Sequence, residues 1–341
     1  MMDKQTDNNN VVDNTITTSV NNISLNEDTT TTTTATTANA TTTTTSTSTN
    51  NKETEYHQEY DVDFRIKENR TNASRIQKRV MRDITCQDAV QWLKDNTVAS
   101  GTSVITSLPD IVEMTGYSLQ QYRDWFVDTV ELITSKLSDN NVAIFYQTDI
   151  RRKVKGNKGI VDEYLDKGYL CAKGAERSGC KMVWHKLMYS VAPELGKVSR
   201  GQTPGFSHML CFAKKPGLLT YQEQTPDIAP RGGMVWKKAM GLNACMVALR
   251  YIRGVGCNTV LDTFCGKGSV LAAANMLGLH AIGVDLSISK TRHSSNLVLT
   301  MEMVESFSAS NWNNMDNKDN KDNNNSNNNN NDEDVDEDEQ T

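Results

Sequence analysis

The sequence lacks the features that mark several common classes of protein. Its seven cysteines include no Cys-x-x-Cys pair, and the step from Cys171 to Cys180 is too wide for a zinc knuckle. No apolar run approaches the ~18 residues of a membrane span. We expect no signal peptide, and the Thr-rich start carries acidic residues, unlike Arg-rich, acid-poor organellar leaders. We therefore expect a cytoplasmic or nuclear protein with reduced thiols, no metal and no membrane contact.

Both ends of the chain are poor in apolar residues. Residues 1–64 are rich in Thr, Asn and Ser, and residues 311–341 are rich in Asn, Asp and Glu. Such segments bury too little apolar surface to offset the entropy lost on ordering. We therefore expect two disordered flanks around one domain at 65–310, which is long enough to bury a core.

The net charge of −6 conceals an asymmetry between the body and the flanks. Residues 64–312 hold 32 Lys and Arg against 22 Asp and Glu, so the body is basic and the flanks are acidic. A basic body suits an anionic partner such as a nucleic acid. The alternative is that the excess cations only keep the protein in solution.

Strand and helix patterns alternate along the body, which predicts an α/β sandwich with a parallel sheet. Two of the strands, 180–190 and 207–215, have no room for a long helix between them and should be antiparallel neighbours. The predicted strands are 79–87, 102–110, 141–151, 180–190, 207–215, 259–265 and 280–287, and the predicted helices are 88–96, 118–137, 168–179, 242–256 and 269–278.

The stretch VLDTFCGKGSVLAAANMLGLHAIGVDLS, residues 260–287, is typical of a nucleotide site. Asp262 lies near the end of one strand, and Gly266 and Gly268 allow a tight turn and close backbone approach to a ligand. Asp285 ends the next strand, where a carboxylate can bind both ribose hydroxyls of an adenosine. The stretch therefore predicts a ligand that contains adenosine.

Three such ligands compete. A P-loop needs a first glycine and a Ser or Thr that this stretch lacks, which argues against ATP. Leu271 stands where a dinucleotide motif has its third glycine. S-adenosylmethionine has no phosphate to bind, and Asp262 suits its amino group while repelling a pyrophosphate. The sequence favours S-adenosylmethionine as cofactor.

These residues resemble the first two motifs of Rossmann-like, S-adenosylmethionine-dependent methyltransferases. The pattern is most similar to D-P-F-x-G-x-G-[ST] of the amino-methylating DNA enzymes, which act on N4 of cytosine or N6 of adenine. Thr263 replaces the proline of that pattern. The resemblance implies that Asp285 binds the ribose and that the methionine end is held by Asp262, Phe264, Gly266 and Gly268.

The glycine motif lies late in the chain, and one group of those DNA enzymes has the same order because its fold is circularly permuted. ITCQDAVQWL, residues 84–93, resembles the family's third motif, in which Asp88 would contact the adenine. Residues 234–252 resemble the helix that packs against the cofactor. The resemblance implies a three-layer Rossmann-like sandwich, with a mostly parallel seven-stranded sheet and one antiparallel strand. The chain would enter that sheet at its third strand and leave after its second.

TSLPD, residues 106–110, stands where the family has its catalytic [DNS]-P-P-[YFW] motif. Ser107 and Pro109 match that motif, but Leu108 replaces a proline and Asp110 replaces the aromatic residue that stacks on a flipped base. A carboxylate at 110 can accept a hydrogen bond from an amine or act as a general base.

A second candidate cluster leaves the strand at 141–151. Asp149 and Arg151 follow a buried strand at the edge where open α/β sheets bind ligands. We expect Asp149 to assist catalysis. The lysines that follow would form a basic loop that contacts the substrate, or else a loop that is only solvated. We interpret His185 and His208 as satisfied core residues. Base stacking would come from Tyr146, Phe206 or Trp236.

These observations predict a methyltransferase that acts on an amino or ring nitrogen of a nucleic acid base. The segment 215–235, about twenty residues, is too short for a domain that reads duplex sequence. RNA, or a nucleic acid delivered by a protein partner, is therefore favoured over unaided duplex reading. Two alternatives stay open, namely methylation of a small molecule or protein, and a non-catalytic cofactor-binding subunit of a larger complex.

Overall fold

The computed structural model describes residues 74–156, 159–190, 204–219, 225–304 and 306, and three strands that precede them. In chain order its strands are β1 (Ala35–Asn39), β2 (Thr45–Ser48), β3 (Thr54–Ile66), β4 (Ser74–Cys86), β5 (Thr102–Thr106), β6 (Val142–Gln147), β7 (Ile150–Gly156), β8 (Gly159–Leu165), β9 (Lys181–Tyr189), β10 (Phe206–Ala213), β11 (Ile228–Pro230), β12 (Thr259–Asp262) and β13 (His280–Asp285).

In the part of the chain that the structure describes, α-helices lie between and after these strands. They are α1 (Ala89–Asp95), α2 (Leu119–Ser135), α3 (Lys167–Arg177), α4 (Leu242–Gly254), α5 (Ser269–Met276) and α6 (Ile288–Asn296). Each strand and helix predicted for the body is present, with ends that differ by a few residues. No helix in the described ranges is long and apolar enough to cross a membrane.

The centre of the sheet has the strand order β4-β13-β12-β5-β6-β10-β9. The first five of these strands are mutually parallel, and β10 is antiparallel to both of its neighbours. This confirms the predicted α/β class and the mostly parallel sheet. The sheet is wider than predicted, because β3 extends it beyond β4 with β1 and β2, and β11 extends it beyond β9.

The core lies in two layers, one on each face of the sheet. Neighbouring residues of a strand enter opposite layers, as the alternation of side chains requires. Ile105, Ile144 and Val260 pack with α4 and α5. Val104, Phe145 and Leu261 pack with α1, α2 and α3. Strands β5, β6 and β12 therefore contribute apolar residues to both layers, which sets apart the polar residues at their carboxyl ends.

A buried arginine in β4 holds two helices from the far end of the body, α5 and α6. Arg82 in β4 is 1% exposed, and its Nε donates to Asn275 Oδ1 at 2.6 Å. Its Nη1 donates to the carbonyl oxygens of Ser294 and Leu297 at 2.8 and 2.7 Å. A buried guanidinium needs such partners for its donors. Arg82 therefore fixes α5 and α6 on β4.

The disorder expected for the two flanks stays a prediction. Residues 1–34 and 311–341 lie outside the described residues, but β1, β2 and most of β3 fall within 1–64. The sequence of β3 alternates Tyr, Val, Phe and Ile with charged residues from Tyr60 to Ile66. This period of two is a strand signal, and an argument from average composition overlooks it.

Candidate ligand site at the carboxyl edge of the sheet

The turn between β12 and α5 is built around two glycines in the left-handed region. Gly266 has φ +55° and Gly268 has φ +84°. A Cβ at Gly268 would lie 2.2 Å from Ser294 Oγ, so only glycine fits against α6. A Cβ at Gly266 would meet no atom within 4 Å. The turn is thus tightly packed on its α6 side and has space at Gly266.

Asp285, at the end of β13, fixes the conformation of this turn. Its Oδ2 accepts from the backbone N–H of Gly266 at 2.8 Å, and its Oδ1 accepts from Ser287 N at 2.9 Å. The carboxylate is partly exposed. The side chain that the sequence assigned to ribose binding therefore lies directly against the glycine turn, as the spacing predicts.

Asp262, at the end of β12, is a buried carboxyl group with few partners. It is 4% exposed, and its Oδ1 accepts from Thr106 Oγ1 at 2.8 Å and from Phe264 N at 3.2 Å. Burial raises the pKa of Asp262 to about 7, although these hydrogen bonds act in the opposite direction. A cationic group placed beside it would stabilise the charged form.

Asp88 follows β4, which pairs in parallel with β13. The N–H of Gln87 donates to the carbonyl of Asp285 at 3.1 Å, so Asp88 lies at the same edge as the ribose candidate. Asp88 is exposed and caps α1 through Gln91 N at 2.8 Å. The structure therefore brings together Asp88 and Asp285, although 197 positions separate them in the sequence.

The TSLPD loop begins beside Asp262, because Thr106 ends β5 and donates to that carboxyl group. Within the loop Ser107 is exposed and Leu108 is buried. Tyr122 of α2 donates its hydroxyl to the carbonyl of Pro109 at 2.9 Å. The loop is therefore anchored at both ends and begins beside Asp262, and its assignment as the catalytic motif stays a prediction.

Asp110 is paired with a lysine that sequence reasoning missed. Lys167 is the first residue of α3, and its Nζ contacts Asp110 Oδ1 although its side chain is only 1% exposed. The Asp110 side chain is 42% exposed. The position that holds an aromatic ring in the resembling family thus holds a carboxylate that compensates a buried ammonium.

Asp149 is more deeply buried than the sequence implied. It is 2% exposed, and its Oδ2 accepts from Tyr164 Oη at 2.5 Å and from His208 Nε2 at 2.9 Å. Its Oδ1 accepts from the backbone N–H of Lys167 at 2.8 Å. Burial acts to raise the pKa of Asp149, but its hydrogen bonds and the charge of a protonated His208 outweigh this and lower it.

The two histidines form a polar chain with Asp149. His208 Nδ1 lies 2.9 Å from His185 Nε2, and the rings are 5.1 Å apart. His185 is exposed and His208 is partly buried. The interpretation of both histidines as satisfied core residues was therefore wrong. One sequence signal could have revealed the contact between the two histidines. They lie in two strands that were predicted to be antiparallel neighbours.

The three aromatic residues considered for base stacking differ in position. Tyr146 is 6% exposed, within the core. Phe206 packs edge-on against His208 with ring centroids 5.4 Å apart. Trp236 lies beside the glycine turn, with Lys267 Nζ 5.2 Å from its ring centroid. Trp236 and Phe206 are therefore the two that lie near candidate site residues.

The basic loop predicted after Asp149 is the hairpin of β7 and β8. Arg151 lies over the ring of Tyr164, 5.9 Å from its centroid. Lys158 lies outside the described residues. Among described side chains, one group has the spacing of a metal site, with ligand atoms of Asp149, Asp166 and His208 within 4.8 Å of one another.

Comparisons with known proteins give structural likenesses at low identity. A putative DNA modification methylase from Thermus thermophilus is 18% identical, with a TM-score of 0.46 over 62% of this chain and 90% of that one. The same protein complexed with S-adenosyl-L-methionine matches similarly. PvuII DNA methyltransferase (cytosine-N4-specific) is 12% identical with a TM-score of 0.48, over 68% of this chain and 93% of that one. No family model and no curated protein matches.

Proposed function

We propose that this chain is an S-adenosylmethionine-dependent methyltransferase that modifies an amino or ring nitrogen of a nucleic acid base. The observation that carries the proposal is the arrangement of Asp262, Gly266 and Asp285. Two carboxyl groups from adjacent parallel strands flank a glycine whose Cβ position is open. The buried Asp262 suits the cofactor's ammonium, and Asp285 suits its ribose.

The order of strands supports the cofactor half of this proposal. The first strand of the body, β4, lies beside the last, β13, and β12 lies between β13 and β5. These neighbours are the ones that a permuted methyltransferase requires. The same order places Asp88, Asp285 and the glycine turn at one edge, where open α/β sheets bind ligands.

The acceptor half is supported by the contact of Thr106 with Asp262, which places the start of the Ser107–Asp110 loop beside that carboxyl group. Transfer forms an N–CH3 bond as the S–CH3 bond breaks, with its electron pair leaving on sulfur, and the nitrogen then loses a proton. The sulfonium is already activated, so the protein's main task is to position the nitrogen in line. The partly exposed Asp110 carboxylate is the group that would accept an N–H from the acceptor.

The replacement of the family's aromatic residue by Asp110 favours a second candidate, methylation of a small molecule or protein. A site without that ring does not require a flat base. Nothing among the described residues favours RNA over DNA, so the RNA preference remains a proposal, and a partner that delivers the nucleic acid remains compatible with it. Failure to methylate any acceptor would favour the third candidate, a cofactor-binding subunit.

Calorimetry with S-adenosylmethionine, its demethylated product, NAD and ATP tests the cofactor. We expect only the first two to bind and to raise the melting temperature. Asp285→Ala should weaken binding, while Asp139→Ala, an acidic residue paired with Lys215 before β6, should not. Transfer of a labelled methyl group to fractionated RNA, DNA, protein and metabolites then identifies the acceptor. Tight NAD or ATP binding instead would refute the proposal.

A further inference from the structure

The polar chain that joins Asp149 to solvent has a definite arrangement of protons. Asp149 Oδ2 can only accept, so His208 Nε2 donates to it. If His208 is neutral, its Nδ1 is an acceptor and His185 must donate from Nε2. If His208 is charged, Nδ1 donates and His185 must accept. The chain is therefore fully hydrogen-bonded in both states.

The change between the two states adds one proton to the chain through two transfers. A solvent proton binds Nδ1 of the exposed His185, and the proton on His185 Nε2 passes to His208 Nδ1. The result is an imidazolium against the Asp149 carboxylate, with no hydrogen bond lost. Burial, and then the charge of His208, lower the pKa of His185, which keeps the added charge on one ring.

Asp149 also holds the groups that support the acceptor loop. It receives the Tyr164 hydroxyl from β8 and the backbone N–H of Lys167 at the start of α3. Lys167 in turn pairs with Asp110 through Nζ. One buried carboxylate thus connects the hairpin, α3 and β10 to the loop that precedes α2.

We infer that Asp149, His208 and His185 form a positioning relay that holds Lys167 on Asp110, and that His185 is its solvent end. This inference rests on the proposed function for its effect on turnover, but not for its proton arrangement. It assigns to Asp149 a positioning role rather than direct contact with the acceptor, since Asp149 is 2% exposed and both its oxygens are occupied.

The surroundings of His208 fit a relay better than a metal site. The charged or titratable groups around it are Asp149, His185, Tyr164 and Asp166, with Lys167 beyond Asp149. Both ring nitrogens of His208 already have partners, and Asp166 caps α3 by accepting from Tyr169 N at 2.8 Å. A cation would displace these bonds at the positive end of a helix.

Histidine NMR on the uniformly 15N-labelled full chain tests the proton arrangement. The His208 ring should carry a proton on Nε2, as the bond to Asp149 requires, with one proton shared between His208 Nδ1 and His185 Nε2. Asp149→Asn should release this fixed tautomer, because an amide can donate as well as accept. His280→Gln, which changes a histidine at the start of β13, should leave the tautomer of His208 in place. A His208 ring protonated on Nδ1 alone would overturn the relay, as would zinc-induced shifts of both rings.

Turnover tests the positioning role. His208→Leu should lower kcat about tenfold while the Kd for S-adenosylmethionine is unchanged, because the acceptor group loses its alignment. His208→Gln should recover most of kcat, since its amide can still donate to Asp149. Equal losses in both variants would show that His208 only supports the fold, and would overturn the inference. A wild-type protein that binds no cofactor would instead refute the proposed function, while the NMR result would stand.

Discussion

The two halves of the candidate site are built in different ways. The proposed cofactor half, Asp262 to Asp285, is one continuous strand-turn-helix-strand unit. The proposed acceptor half joins Asp110, Asp149, Lys167 and His208 from four separate segments. The first half keeps one buried carboxyl group with an elevated pKa, whereas the second pairs buried Lys167 with Asp110 and gives both oxygens of buried Asp149 a hydrogen-bond donor. Asp262 in the first half therefore lacks a positive partner, which we expect the ligand to supply. The second half needs no cation from a ligand.

Asp262→Asn should give the largest effect and tests the idea that the cofactor supplies the missing charge. The folded pKa of Asp262 is raised, so its contribution to stability is full below the unfolded pKa and is lost as pH rises through about 7. That loss is on the order of 4 kcal/mol for a shift of this size. Urea unfolding from acid to neutral pH should show it in the wild type and not in the variant.

The raised pKa of Asp262 also predicts that a proton is released when the cofactor binds. Below pH 7 the free protein holds Asp262 protonated, and the cofactor's ammonium favours the carboxylate. Titration calorimetry in two buffers of different ionisation enthalpy should detect roughly one proton released at about pH 6 and little above pH 8. Binding without proton release at the lower pH would mean that Asp262 does not face the ammonium.

Gly268→Ala should give the next largest effect, because the turn of the cofactor half is locked against α6. The variant combines a left-handed residue with a Cβ 2.2 Å from Ser294 Oγ, and should cost about 2–3 kcal/mol. Gly256→Ala is the matched control. Gly256 has φ +88°, but an added Cβ would meet no atom within 4 Å, so the variant should lose about 1–2 kcal/mol of unfolding free energy. Chemical denaturation of both measures the difference, and equal costs would contradict the close packing.

Asp110→Asn tests whether the acceptor half depends on charge compensation. Removing the carboxylate leaves the buried Lys167 ammonium without its counter-charge, at a cost of about 1–2 kcal/mol given the partial exposure of Asp110. Turnover should fall by roughly 10² if the carboxylate also accepts the acceptor's N–H. Adding Lys167→Met should recover stability but not turnover, as a double-mutant cycle would show. Recovery of both would make the pair purely structural.

The sequence predicted the cofactor half in detail, because its residues are close along the chain and their order follows a strand, a turn and a helix. Asp262, Gly266 and Asp285 all lie where the spacing placed them. The seven central strands were predictable for the same reason, since apolar runs and helical spacing are local signals. The added strands β1–β3 were missed because composition was averaged over a long polar segment.

The acceptor half could not be predicted to the same depth. Lys167 has no local feature that distinguishes it from a surface lysine at a helix start, and its burial depends on α3 packing beside the TSLPD loop. His208 meets Asp149 only because β10 returns antiparallel beside β6. Contacts of this kind depend on the register of distant strands, which single-sequence patterns do not encode.

Gln147→Met should give the smallest effect and tests whether the acceptor half is in fact complete. Gln147 ends β6 opposite His208, is 1% exposed, and its Nε2 has no hydrogen-bond partner among the described residues. Replacing such a group with an apolar one of similar shape should change the free energy of unfolding by less than about 1 kcal/mol, because no hydrogen bond is lost. Turnover should also stay near the wild-type value, measured with saturating acceptor and cofactor.

Gln147→Glu is the opposing control. It should lower the free energy of unfolding by several times more than Gln147→Met, since it buries a carboxyl group beside Asp149. A large loss of turnover in Gln147→Met with unchanged stability would show that the amide binds the acceptor. The acceptor itself would then supply the missing hydrogen-bond partner of Gln147 Nε2.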